Sequence, residues 1–169
     1  PPRHGEPGAV GAALDSDSWC GMIVDDAHLH PAVVRLAVRA KGIERLMLVT
    51  DAMPSVGTHD SEFMLQGKRI MVRDGVCLFE DGTLAGTHLD MASALRNTVE
   101  VTGLPVAEAT VMASATPARF LSLQASHGAL TPGMRADWVW LDAELQPRGT
   151  WIGGERLAQP DPALARAAQ

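Results

Sequence analysis

The stretch Leu46-Met47-Leu48-Val49-Thr50-Asp51-Ala52 constrains this chain most. An unbroken run of four apolar residues leads through Thr50 to a carboxylate, and Met53-Pro54-Ser55-Val56-Gly57 then turns the chain. Such a run reads as a strand buried on both faces, and a parallel strand covered by helices is its usual setting. In parallel sheets, polar residues at the C-terminal ends of the strands line the ligand crevice. Asp51 is therefore the first candidate for chemistry.

The segment upstream repeats the pattern. Trp19-Cys20-Gly21-Met22-Ile23-Val24 reads as a second buried strand, ending on Asp25-Asp26-Ala27-His28. Pro31 suits the first turn of a helix, Val33, Val34, Ala37 and Val38 share one face of it, and Gly42 suits its C-terminal cap. A strand, a crossover helix and a strand in that order make the two strands parallel neighbours. Topology then places Asp25, Asp26, His28 and Asp51 on one rim. Before this unit, Val10–Leu14 reads as a helical turn.

Beyond Gly57 the character changes. Phe63-Met64-Leu65, Gly67–Val72 and Val76–Phe79 are short β-like runs separated by turn signals, which predicts a small β excursion over about 58–80. Leu84-Ala85-Gly86 reads as a bend after it. Helical periodicity returns over 88–102, with Gly103 as its cap, and Pro105 and Pro117 each read as opening a further helix. Residues 128–157 are β-like again, with Trp138–Leu141 as a buried strand and Gly153-Gly154 as a hairpin tip, and 158–169 reads as a frayed tail. The expected division is thus an α/β unit over 1–127 and a small β unit over 128–157.

Asp51 can accept a proton from a water and pass it to a leaving group, or it can be a helix cap or loop acceptor. His28 can bind a substrate hydroxyl or phosphate, serve as a ligand, or pack at a helix start. His30, just before Pro31, reads as an exposed cap. Backbone N–H groups of the 84–87 bend can face a ligand, or the bend can be a plain turn. No HExxH or CxxC spacing occurs, and no metal ligands are assigned in this chain. The formal net charge of −6 argues against a nucleic-acid surface. No apolar run approaches the ~20 residues that cross a bilayer. The two cysteines, Cys20 and Cys77, lack a close spacing partner and read as reduced thiols of a cytoplasmic protein.

Three stretches line up with one family. Val24-Asp25-Asp26-Ala27-His28, Leu48-Val49-Thr50-Asp51-Ala52 with Gly57 after it, and Asp81-Gly82-Thr83-Leu84-Ala85-Gly86 resemble the C-terminal part of the N-acetylglucosamine-6-phosphate deacetylases. Glu6-Pro7-Gly8 with Val10–Ala13 resembles the loop and helix before it, and Thr116–Arg119 and 128–137 resemble the wider amidohydrolase superfamily. The resemblance implies the C-terminal part of a metal-dependent TIM-type (β/α) barrel with a small β-sandwich. It implies hydrolysis of the acetamide of N-acetylglucosamine 6-phosphate to glucosamine 6-phosphate and acetate. Asp51 falls on the catalytic aspartate. Asp25, Asp26, Ala27 and His28 fall on one substrate-contacting segment, and Leu84, Ala85 and Gly86 on another. The divalent metal, zinc or similar, would be held by residues upstream of this chain, and the enzyme would be a homo-oligomer, dimer or higher.

Two departures stand out. Gly5 occupies the place of an arginine that binds phosphate, and Asp26 the place of a glycine. A dihydroorotase-like or deaminase-like hydrolase is a second reading, and a catalytically incomplete protein a third. A partial barrel leaves edges and apolar faces to be covered, so pairing with another chain is expected.

Overall fold

Cys20–Met22 (β1) and Leu46–Leu48 (β2) pair in parallel in the computed structural model, which describes residues 5–158. Cys20 stands opposite Leu46, and Met22 opposite Leu48. All three residues of β2 are buried. Met22, Val24 and Leu48 join fully buried Leu46, Val34 and Met112 in one apolar cluster. Burying each such aliphatic side chain contributes about 1.5–3 kcal/mol, so this cluster anchors the segment that carries the candidate residues.

Gly8–Asp15 (α1) is a full helix where a single turn was expected. The Lys41 ammonium reaches its end, donating to Ala13 O at 2.6 Å and to Ser16 O, as suits a cation at a helix C-terminus. Pro31–Lys41 (α2) connects the parallel strands, with Pro31 at its first position and Gly42 closing it. His30 is the expected cap: its Nδ1 accepts from the Ala32 N–H at 3.2 Å.

The central strand is shorter than its apolar run. The Val49 N–H still donates to Met22 O at 3.0 Å, but the ladder ends there and the Val49 side chain is 39% exposed. Beyond it the backbone bonds sideways to a later segment instead of to β1. The expectation of burial on both faces therefore holds for Leu46–Leu48 and fails at Val49 and Asp51.

That later segment closes an antiparallel meander of Glu62–Leu65 (β3), Lys68–Arg73 (β4), Val76–Phe79 (β5) and Leu84–Thr87 (β6). Its first two turns, Gln66-Gly67 and Asp74-Gly75, have positive φ at both residues, the geometry that matches strand twist in two-residue hairpins. The 84–86 stretch, expected as a bend, is thus a strand. Its register with β5 keeps it extended, and its last residue Thr87 bridges Ala52 in parallel.

Met91–Thr102 (α3), Val106–Ala113 (α4) and Ala115–Phe120 (α5) follow, and all three pack on β2. Asp90 caps α3, accepting from the Ser93 N–H at 2.9 Å, and left-handed Gly103 ends it. Pro117 does not open α5, which starts at Ala115. Thr116 is buried there and donates to Ile43 O at 3.0 Å.

Trp138–Leu141 (β7), Pro147–Ile152 (β8) and Glu155–Arg156 (β9) form a third, antiparallel sheet with Gly153-Gly154 at its tip. Trp138 stacks on Trp151 with ring centroids 3.8 Å apart. The expected burial of β7 is not found, because Val139 is 49% and Trp140 56% exposed. Cys77 is buried and Cys20 half-buried, and both are free thiols. No helix among the described residues is long and apolar enough to cross a membrane. The expected tail from 159 onward lies outside the described residues.

Candidate active site

Parallel pairing makes the chain leave β1 and β2 at the same end. The segments after Met22 and after Leu48 therefore share a rim, and Thr87 adds a third backbone to it.

Asp51 sits where the chain turns off β2. Its φ is +52°, a left-handed conformation that aspartate tolerates better than most residues. Its side chain is exposed and makes no hydrogen bond to another described residue. The burial expected from sequence is absent because the backbone swings outward after Val49, which leaves the carboxylate facing solvent with both oxygens available.

The backbone around Asp51 is held on both sides by Thr87. The Thr87 hydroxyl donates to Thr50 O at 2.6 Å and accepts from the Leu89 N–H at 3.0 Å. The Thr87 N–H donates to Asp51 O at 3.0 Å, and Thr87 O accepts from the Met53 N–H at 2.9 Å. Thr87 itself is fully buried. Gly86 permits the approach, since a β-carbon there would lie 2.9 Å from Asp51 O and 2.9 Å from Met53 Cγ. Behind the turn, buried Ser55 Oγ lies 3.1 Å from His88 Nδ1 and 3.5 Å from Cys77 Sγ.

The neighbouring loop is built on Asp25. Its Oδ1 accepts from the Ala27 N–H at 3.1 Å and the His28 N–H at 2.8 Å, and its Oδ2 lies 2.7 Å from His28 Nδ1. The Asp25 side chain is 5% exposed and that of His28 20%. Burial alone would push the Asp25 carboxyl upward, but hydrogen bonds from the His28 backbone and ring and from the Ala27 backbone outweigh it and hold the group below the usual carboxylate range. Asn97 of α3 fixes the start of the loop, its Nδ2 donating to Val24 O at 2.7 Å.

Asp26 is the next residue of this loop. Its φ is +64° and it is exposed, which accounts for glycine being suited to this position. Asp26→Gly is expected to stabilise the chain by about 0.5–1 kcal/mol in chemical denaturation, because the left-handed backbone no longer carries a β-carbon. A destabilised variant would show that the Asp26 side chain has a role that this geometry does not display.

Gly86 thus touches the Asp51 turn directly, whereas Asp25 and His28 occupy the adjacent loop. Ala27 is exposed and contributes a backbone donor to Asp25. Leu84 and Ala85 lie further back along β6, and Leu84 is exposed. A cleft of about 260 Å3 between this loop and α3 is lined by Asp25, Asp26, Asn97 and Glu100. A larger one of about 410 Å3 is lined by Ile43, Glu44, Arg119 and His127. It opens at the N-terminal end of β2, away from Asp51, and parallel sheets carry their chemistry at the other end. Sequence reading missed Thr87, Ser55 and Asn97, because their partners lie 33 to 73 residues away and no local spacing marks them. Among the described residues, no group of three His, Cys, Asp or Glu side chains is placed to hold a metal.

The parallel β/α unit thus presents the exposed Asp51 on its rim beside the loop that holds Asp25 and His28. The chain belongs to the amidohydrolase family, whose sequence profile matches residues 8–163. It is 44% identical over 160 residues to an N-acetylgalactosamine-6-phosphate deacetylase of Shewanella sp. (strain ANA-3), covering 94% of this chain and 40% of that protein. It is 42% identical over 154 residues to the N-acetylgalactosamine-6-phosphate deacetylase of Escherichia coli O157:H7, covering 90% of this chain and 41% of that protein. The crystal structure of a mutant N-acetyl-D-glucosamine-6-phosphate deacetylase from Mycobacterium smegmatis, in complex with N-acetyl-D-glucosamine-6-phosphate, superposes with a TM-score of 0.85 at 34% identity. It covers 92% of this chain and 42% of that one. The chain therefore spans about 40% of the length of these relatives.

Proposed function

We propose that the whole protein hydrolyses the acetamide of an N-acetylhexosamine 6-phosphate to acetate and the amino sugar phosphate. The observation that carries this reading is the 44% identity, over 160 residues, to a relative named for that reaction. Asp51 serves as the proton carrier. Water attacks the acetamide carbonyl carbon while its proton passes to the Asp51 carboxylate. The same proton then goes to the nitrogen as the C–N bond breaks, so acetate leaves and the amine remains on the sugar. The available carboxylate and the backbone clamp around it suit a group that must be solvated and held in place. His28 and the backbone of 84–86 serve as substrate contacts.

The family generally works with a divalent cation, and the described residues do not form a site for one. We place its ligands elsewhere in the whole protein, and we read that protein as a cytoplasmic homo-oligomer, dimer or higher.

The epimer is the open choice within the reading. N-acetylglucosamine 6-phosphate is the sugar bound by the mycobacterial relative at 34% identity. Relatives named for the galacto epimer reach 44% and 42%, which favours the galacto substrate. Acetate release by the whole protein from both sugars decides it. The expected result is turnover of N-acetylgalactosamine 6-phosphate with the larger kcat/KM. A larger value for the gluco epimer reverses the preference, and no release from either removes the reading.

A further inference from the structure

Asp25 is grouped by the family resemblance with the substrate contacts, yet both its carboxylate oxygens are turned inward. Oδ1 is committed to two backbone N–H groups, and Oδ2 is committed to His28 Nδ1 at 2.7 Å. A carboxylate can only accept, so His28 must donate Nδ1–H. Neutral His28 then carries a lone pair on Nε2. That atom accepts from a hydroxyl, and it donates to an anionic oxygen only after taking up a proton.

We propose that Asp25 is a positioning residue that fixes His28 in the Nδ1–H tautomer, so that an anionic oxygen of the substrate binds at Nε2 with uptake of one proton. The anionic oxygen rests on the sugar-phosphate reading above. The tautomer rests on the hydrogen-bond geometry alone. Asp25 balances the imidazolium formed, and the proton is drawn from solvent. The other ionisable groups around the loop are Asp26 and His30 on its own segment, Arg35 of α2, and Glu100 of α3 across the cleft. Asp25 alone among them hydrogen-bonds to the His28 ring.

The orientation of the carboxylate makes the substitution decisive. In Asp25→Asn the amide oxygen keeps the two backbone N–H bonds, and the amide N–H2 faces His28 Nδ1. An acceptor has become a donor, which forces neutral His28 into the Nε2–H tautomer. That form donates to an anion without taking up a proton.

Nitrogen-15 NMR of the His28 ring in the full chain tests this, with inorganic sulfate as the probe because it does not itself titrate over about pH 5–8, where histidine does. The wild-type chain is expected to show Nδ1–H in the neutral form, and sulfate should shift the His28 titration midpoint to higher pH. Asp25→Asn should show Nε2–H, with sulfate affinity that no longer falls as His28 deprotonates. An Nε2–H tautomer in the wild type overturns the proposal. So does a His28 midpoint that sulfate leaves unmoved. Both of those readings come from the wild type, so they decide the matter even if the variant does not fold. Neither measures deacetylation. A protein that passes them and releases no acetate keeps this inference and loses only the catalytic reading.

Discussion

Asp51→Asn is expected to lower kcat for acetate release by the whole protein about 10²–10⁴-fold, the range over which a positioned proton carrier contributes. Stability should stay within about 0.5 kcal/mol, as for other exposed positions. The structural reason is unusual for a candidate catalytic group: the Asp51 side chain is exposed and makes no hydrogen bond to another described residue. The fold gains nothing from its charge. Asparagine also tolerates the left-handed backbone that Asp51 adopts at φ +52°. Acetate release and denaturant midpoints measured on the same preparations separate the two effects. An active variant would remove Asp51 from the chemistry. A variant that loses activity only as it unfolds would reduce the residue to a structural part.

Thr87→Val should cost about 2–6 kcal/mol and also lower kcat. The change keeps the shape of the side chain and removes the hydroxyl that donates to Thr50 O and accepts from the Leu89 N–H. Thr87 is fully buried, so two backbone groups lose their partner, and each such loss costs about 1–3 kcal/mol. The bonds made by the Thr87 backbone to Asp51 O and from the Met53 N–H remain. The turn is therefore loosened but not detached, and Asp51 is displaced from its working position. Thr87→Ser keeps both hydroxyl bonds and should recover most of the stability and the rate. Equal behaviour of the valine and serine variants would show that packing, and not the hydroxyl, holds the turn.

Much of the local structure was legible in the sequence because its causes are local. Pro31 and Gly42 bracket α2, Gly103 ends α3, and Asp74-Gly75 closes a hairpin. Strand, helix and strand in succession were enough to infer the parallel pairing of β1 with β2. The errors share a different origin. Leu84–Thr87 has the sequence of a bend and is a strand, since only its partner β5 makes it extended. Trp138–Leu141 has the composition of a buried strand and is not one, because burial depends on what covers a sheet face.

The residues of the rim divide the same way. Asp51, Asp25 and His28 stand out in the sequence as polar groups that end apolar runs, and strand topology alone brings them to one end of a parallel pair. Their states did not follow from that. Only the tertiary structure turned Asp51 to solvent, turned Asp25 inward onto His28, and closed Thr87 on the Asp51 turn from 37 residues away. The physical reason is that a strand's direction is set by its own residues and its crossover, whereas hydrogen-bond partnership and exposure are set by whichever backbone arrives alongside.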